Sequence, residues 1–451
     1  MRFRVGFALA VIAGVIALTG CGSSNSTTSA APGASASSST AASATSTSSG
    51  GSSSGGASDT SSCGPKPGVA ASGTPIVLGA INTKQPGTDF TDISNMEAAY
   101  FACVNANGGV NGHPIQLKLQ TEATQPPQIA AASKLLVQTD HVLGMSGTSS
   151  ILECTIDHTY WEKLNYQVIA AGIAPECYST PNYADVNMGP RYSSDGAVQY
   201  AITQHPSKIV FDQSNVPGTG YIAAGPNAIA KAANVPITDL TENVPINDAN
   251  SVALKLVNAA GSNGAVVLNF TPPEALVILQ AAQKLGLEDR VKSWGCSTPC
   301  DTDFLATTLG PKWNHKFFVN AELTPPDPTN TPTMNLYKAI LKQYGSSVTG
   351  GIGSFSQMGF TMGEIATHAL ESIKGDYTVQ NVNAAFQNVK DFDTGMLCEP
   401  WTFGKYAFHI ANNVDYTVTP ENGKMVIAQG CTPISANDPQ IAAYRKLTGS
   451  S

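Results

Sequence analysis

Charge is scarce in this sequence. Of its 451 residues, 12% are Asp, Glu, Lys or Arg, about half the share of an ordinary globular chain. Lys and Arg number 24 against 32 Asp and Glu, and the net charge is -8. That balance, with a pI near 5.4, excludes the basic face that a nucleic-acid backbone requires. After Ser62 no apolar run approaches the roughly 20 residues of a spanning helix, so the bulk of the chain reads as a soluble body.

Motifs of catalysis are missing as well. Gly144-Met145-Ser146-Gly147 closes one residue too early for a nucleophile elbow, and no phosphate-binding Gly-x-x-x-x-Gly-Lys-Ser/Thr loop occurs. Gly218-Thr219-Gly220 lacks the spaced third glycine of a dinucleotide fingerprint. His113, His141, His158, His205, His315, His368 and His409 are scattered, with no pair at metal-binding helical spacing. Cys296-Ser-Thr-Pro-Cys300 is a lone knuckle without a second pair of ligands. The sequence therefore predicts no enzyme, no cofactor and no metal; an exported hydrolase is the remote alternative.

What is present begins with an address. Arg2 and Arg4 precede an apolar stretch from Val5 to Leu18, and Leu18-Thr19-Gly20-Cys21 closes it. The stretch is too short to span and has the order of an export signal. It resembles a lipoprotein signal, which implies cleavage after residue 20 and a lipid on Cys21, and so a place on the extracytoplasmic face of the membrane. Gly22 to Ser62 is almost wholly Ser, Thr, Ala and Gly, with Asp59 its one acid. Nothing there offsets the entropy of ordering a backbone, and residues 21–73 are expected to form a tether with a span of roughly 30 to 40 Å.

Setting Cys21 aside, eight of the nine cysteines remain: Cys63, Cys103, Cys154, Cys177, Cys296, Cys300, Cys398 and Cys431. An even number in an exported chain favours disulfides. About 105 connectivities are open; pairing of neighbours in order is the expectation adopted.

Along the body, short β-rich runs alternate with helical periodicity. Ile76 to Ile81 reads as a buried strand, and Asp92 to Ala106 as a helix whose Ile93, Met96, Tyr100, Cys103 and Val104 share a face. Strands at 115–119, 142–145 and 167–171 follow, with helices at 128–138 and 157–164 between them. A second series runs from helix 195–204 through strands 208–211, 265–270, 291–294 and 317–320, with helices at 221–233, 251–260 and 273–285 and longer ones at 334–344 and 355–374. This βαβ alternation predicts an α/β fold with two Rossmann-like parallel-sheet lobes. Ligands of such sheets sit beyond the carboxyl ends of the strands, here loops rich in Gly, Ser, Thr and Pro.

At those loops the chain resembles the type I periplasmic binding proteins, specifically the branched-chain amino-acid solute-binding proteins of ABC importers. The similarity rests on Ile76-Val77-Leu78-Gly79-Ala80, on the turn Asn107-Gly108-Gly109-Val110-Asn111-Gly112 followed by Pro114-Ile115, on Gly144 to Ser150 and on Ala170 to Glu176. It implies a cleft between two lobes, closing on a solute, with lobe 1 formed by 74–192 plus 321–400 and lobe 2 by 193–320 plus 401–448. It also implies a permease partner; a sensor subunit is the alternative.

The resemblance assigns solute contacts to Ser146, Thr148, Ser149 and Ala171 in the first lobe. Ile173 stands where the family has a threonine, and Ser297 or Thr298 where it has the acid that receives an ammonium group. Burying an ammonium without a carboxylate is costly, so Glu274, Asp301 or Asp303 would have to substitute. Phe90, Phe270 and Thr271 complete the expected site. An apolar cleft for an amino acid, an amide or another small weakly acidic solute is the resulting expectation.

Overall fold

In the computed structural model, residues 60–406 and 408–449 are described; the signal segment, Cys21 and the tether up to residue 59 lie outside them. The first sheet is built from β1 (Ile76–Gln85), β2 (Thr88–Asp89), β3 (Ile115–Glu122), β4 (Gly144–Thr148), β5 (Val168–Ala170) and β6 (Tyr183–Asp185), with α1 (Thr91–Ala106), α2 (Pro126–Gln138) and α3 (Glu153–Leu164) between them. Its parallel strands run in the order β3-β1-β4-β5-β6, and β2 folds back antiparallel on the end of β1. β1 is buried on both faces: Ile76 and Leu78 join the core under α1, while Ile81 joins Leu136, Met145 and Trp161 on the other side. A near-continuous apolar run is what a parallel strand covered on both faces requires.

The second sheet follows α4 (Gly189–Thr203). It comprises β7 (Ile209–Ser214), β8 (Ile237–Glu242), β9 (Ala265–Asn269), β10 (Ser293–Cys296) and β11 (Phe317–Ala321), with α5 (Ala224–Ala232), α6 (Ala249–Ala260), α7 (Pro272–Lys284) and α8 (Asp303–Leu309) in the connections. The chain then runs through α9 (Pro332–Tyr344), α10 (Ser354–Glu371) and α11 (Val379–Gln387) before β12 (Val414–Glu421), β13 (Lys424–Pro433) and α12 (Pro439–Thr448). Strand order is β13-β12-β11-β10-β9-β7-β8, with β12 and β13 antiparallel and the rest parallel. Val210, Val266, Leu268 and Trp294 face α6 and α7, whereas Ile209, Phe211, Ala265 and Val267 face α4 and α5.

Three segments carry the chain between the sheets. After β6 it enters α4, which packs on β9 to β12; after β11 it returns to α9 and α10, which pack on α1; before β12 it comes back once more. The segments are stitched together. Asn412 Nδ2 donates to the carbonyls of Val186 (3.1 Å) and Glu322 (2.9 Å), and Met188 N-H donates to Glu322 Oε2 (2.7 Å). Arg191 at the start of α4 makes a two-pronged pair with Asp438, at 2.7 and 2.8 Å, which anchors the N-terminus of α12. Both residues are buried.

The disulfides are Cys63–Cys103, Cys154–Cys177, Cys296–Cys300 and Cys398–Cys431, each joining cysteines consecutive among the eight. Residues 60–73, which composition assigned to the tether, are docked on the body. Besides the Cys63 link, Lys66 N-H and Ala71 N-H donate to the carbonyls of Asn107 (2.9 Å) and Asn105 (2.8 Å) at the end of α1. No helix among the described residues is long and apolar enough to cross a membrane.

Candidate functional site

The carboxyl ends of the parallel strands of both sheets converge on one cleft. From the first sheet come Ser149 and Ile151 after β4, Ala171 and Ile173 after β5, and Asn187 and Gly189 after β6. From the second come Ser214, Val216 and Thr219 after β7, Asn269, Phe270 and Thr271 at the end of β9, Thr298 and Pro299 after β10, and Glu322 after β11. Phe90 and Ile93 from the start of α1 and Phe355 and Met358 from the start of α10 close one wall. The cleft holds about 710 Å³ of atom-free space, part of it open to solvent. A second chamber of about 1080 Å³ adjoins it, sharing Thr88, Thr271, Pro299 and Phe355 and rimmed by Asp89, Asp92 and Glu274.

Hydrogen bonds bridge the cleft at two edges. Thr271 Oγ1 donates to the Gly87 carbonyl (3.1 Å), and the Tyr221 hydroxyl donates to the Ile173 carbonyl. The two sheets are thus held in a closed arrangement, and most of the chamber wall is withdrawn from water.

Of the nine residues expected at the site, six line this cleft: Phe90, Ser149, Ala171, Ile173, Phe270 and Thr271. Phe90 ends the turn after β2, its ring edge-on to Phe355 at 5.4 Å between centroids. Ser149 is locked by its backbone, which bonds Ile81 and Thr83 (3.0 and 3.1 Å); its hydroxyl has no partner among the described residues. The Ala171 N-H is already committed to the Thr148 carbonyl (2.9 Å), so it is not a free donor.

Ser146, Thr148 and Ser297 do not line the cleft. Ser146 Oγ donates to Glu97 Oε1 (2.5 Å) beneath the loop, and Thr148 Oγ1 accepts from Ile81 N-H (3.3 Å). Ser297 Oγ donates to Asn269 Oδ1 (2.7 Å), which fixes that amide at the wall. These hydroxyls are drawn inward because the strand ends beneath the loops are wholly buried and their polar atoms need partners. Gly147 sets the turn: its φ is +88°, and a Cβ there would collide with Glu97 Oε2. Glu97, with no exposure, has its carboxyl pushed up to about 8 by burial.

Neither Asp301 nor Asp303 lines the cleft, and Glu274 faces only the outer chamber, where Oε2 accepts from Ile246 N-H (2.8 Å). The acid at the inner wall is Glu322, which the sequence reading passed over although it stands two residues past the strand read at 317–320. It is 1% exposed, and burial raises its carboxyl to about 8, with Asp301, Asp415 and Asp185 adding in the same direction. Asp301 and Asp415 are themselves raised to about 8 by burial. Among the described residues no Lys, Arg or His lines the inner chamber. Among the described residues no three His, Cys, Asp or Glu side chains are grouped to hold a metal ion. The arrangement can bind and enclose a small molecule with apolar bulk.

Residues 75–423 match the model of a family described as periplasmic binding protein. Among solved structures sharing the fold is a fatty acid ABC transporter substrate-binding protein from Thermomonospora curvata, 18% identical, with a TM-score of 0.68 over 83% of this chain and 97% of that one. Another is a branched chain amino acid ABC transporter protein from Thermus thermophilus with bound valine, at 16% identity and a TM-score of 0.69 over 83% and 98%. A solute binding protein from R. palustris in complex with benzoate, at 14% identity, gives a TM-score of 0.66 over 80% and 98%. No curated protein sequence matches the chain.

Proposed function

Because the chain belongs to the periplasmic binding protein family, we propose that it captures a small solute between its two lobes outside the cytoplasm and delivers it to the permease of an ABC importer. The observation that carries this reading is the closed cleft at the carboxyl ends of two parallel sheets, bridged by Thr271 to Gly87 and Tyr221 to Ile173. A solute that touches both walls shifts an open-closed equilibrium by its differential affinity for the closed form, and the closed form is what a permease would recognise. Lipid attachment at Cys21 would keep this cargo near the membrane, with the Ser- and Thr-rich segment as the tether.

The solute has apolar bulk, since Phe90, Ile93, Ile151, Ile173, Val216, Phe270, Phe355 and Met358 supply most of the wall. Ser149, Thr219 and Asn269 offer polar contacts of the kind that fix orientation. The protein binds without turnover.

A thermal-shift screen of amino acids, amines, amides, aromatic acids and short-chain acids tests the proposal. A bound solute at a hundredfold over its Kd stabilises by about 2.7 kcal/mol, and Phe90→Ala or Ser149→Ala removes most of that shift. Failure of every solute class, or chemical conversion of the one that binds, would defeat the reading. Metabolic labelling with palmitate, compared between the wild type and Cys21→Ala, tests the anchor.

A further inference from the structure

We propose that Glu322 is the charge partner of a protonated nitrogen on the bound solute, so that the cleft selects organic amines over solutes whose only charge is a carboxylate. The inference rests on the solute-binding reading and adds the chemical class to it.

Among the described residues, Glu322 is the one Asp, Glu, Lys, Arg or His side chain on the inner wall. One of its oxygens, Oε2, accepts from Met188 N-H at the start of α4, and no partner for the other occurs among the described residues. The helix end behind it favours a negative charge. The ionisable groups that interact with it are three acids, Asp185 at the end of β6, Asp301 after β10 and Asp415 on β12, and the buried phenol Tyr178. A solute carboxylate placed here finds no cation on the wall, whereas an ammonium group finds a carboxyl whose Oε1 has no partner among the described residues.

The aromatic residues of the wall point the same way. Phe90, Phe270 and Phe355 line the same chamber, and ring faces attract organic cations by about 0.5 to 2 kcal/mol each when water is excluded. Burial raises the Glu322 carboxyl to about 8, which favours its protonated form at neutral pH. An arriving ammonium ion stabilises the carboxylate, and the carboxyl proton leaves to solvent. Binding of an amine is therefore coupled to proton release, while binding of an amide or an acid is not.

The test is calorimetry on the full mature protein with two matched sets: isopentylamine, isovaleramide and isovalerate, and benzylamine, benzamide and benzoate. The amine of at least one set should bind about tenfold or more tightly than its amide and acid, a charge-assisted bond being worth that factor. Its enthalpy at pH 7, compared between phosphate and Tris buffers, should report release of close to one proton per site. Glu322→Gln keeps an acceptor for Met188 N-H; in it the amine should lose about tenfold in affinity and all of the proton release, with the melting temperature of the empty protein as the check on folding. Tighter binding of the acid or the amide, or amine binding with no proton released from the wild type, overturns the inference and leaves the solute-binding reading intact. If no amine binds while the wider screen finds a solute without a basic nitrogen, the inference fails alone; if nothing binds, both fail.

Discussion

Gly359 decides how closely α1 and α10 pack, and the sign of its replacement by alanine separates packing from propensity. Helix propensity alone favours the change: alanine in a helix interior is about 0.8 to 1 kcal/mol better than glycine. The structure argues the reverse. A Cβ at Gly359 would collide with the Ile93 carbonyl oxygen and stand 2.9 Å from Ile93 C and 3.0 Å from Glu97 N, all of them backbone of α1 that cannot rotate away. The helices would have to separate, and overpacking of this kind costs about 1 to 3 kcal/mol. Since α1 carries Phe90 and Ile93 to the cleft and α10 carries Phe355 and Met358, separation also opens the Phe90–Phe355 contact. The expected net effect of Gly359→Ala, overpacking less the propensity gain, is a loss of about 0 to 2 kcal/mol in chemical denaturation, together with weaker binding of whichever solute the thermal-shift screen identifies. A stabilised variant with unchanged affinity would refute the reasoning, because it would mean that only propensity was felt.

Other perturbations have equally definite outcomes. Glu97, Glu322, Asp301 and Asp415 all have carboxyls raised to about 8 by burial, so the folded chain holds protons that the unfolded chain releases above about pH 4.5. Their stabilising contribution is whole below that pH and is lost as pH rises through 8, and the melting temperature at pH 5.5 should exceed that at pH 8.5. Asp438→Asn strips the buried Arg191 of its charge partner and should destabilise by about 3 to 5 kcal/mol, measured by urea unfolding. Asn412→Ala removes two hydrogen bonds between crossing segments and should cost about 1 to 3 kcal/mol, with a wider open-closed distribution by small-angle scattering. Removing Cys63–Cys103, which closes 40 residues, should cost about 4 kcal/mol, against about 2 for Cys296–Cys300, which closes 4.

The parallel strands of both sheets were legible except β6 and β8: the central ones are short continuous apolar runs, edge strand β3 shows alternation in Ile115-Gln-Leu-Lys-Leu119, and β6 is only three residues long. β8 was missed for the complementary reason: Ile237-Thr-Asp-Leu-Thr-Glu lies at the sheet edge and is half exposed, so it carries too little apolar signal. α4 starts at Gly189, six residues before the reading placed it, since Pro190 reads as a breaker but fits the first turn of a helix, where no N-H is needed. β2, β12, β13, α8, α11 and α12 also went unread; β13 has only Met425 fully buried along its length.

At the site, loop membership was legible and side-chain direction was not. Ser146 and Thr148 on β4 and Ser149 just after it are nearly adjacent, yet only the last lines the cleft. Ser146 is turned to Glu97, a residue 49 positions away, and nothing local in the sequence announces that partner. Asn269 and Thr219 lie at strand ends of the second sheet, and Phe355 and Met358 in the first turns of α10; no local motif distinguishes them from their neighbours.

Glu322 shows the same limit in its sharpest form. Its importance comes from no motif; it comes from lying where the first crossing segment, through Met188, meets the second, which Asn412 of the third holds by its carbonyl. Under the amine proposal, the charge that forms on Glu322 lies at the meeting point of the three crossing segments. Such a solute drives closure only by the difference between its affinities for the two arrangements, so the same Glu322→Gln variant that tests selectivity also tests whether closure depends on this side chain.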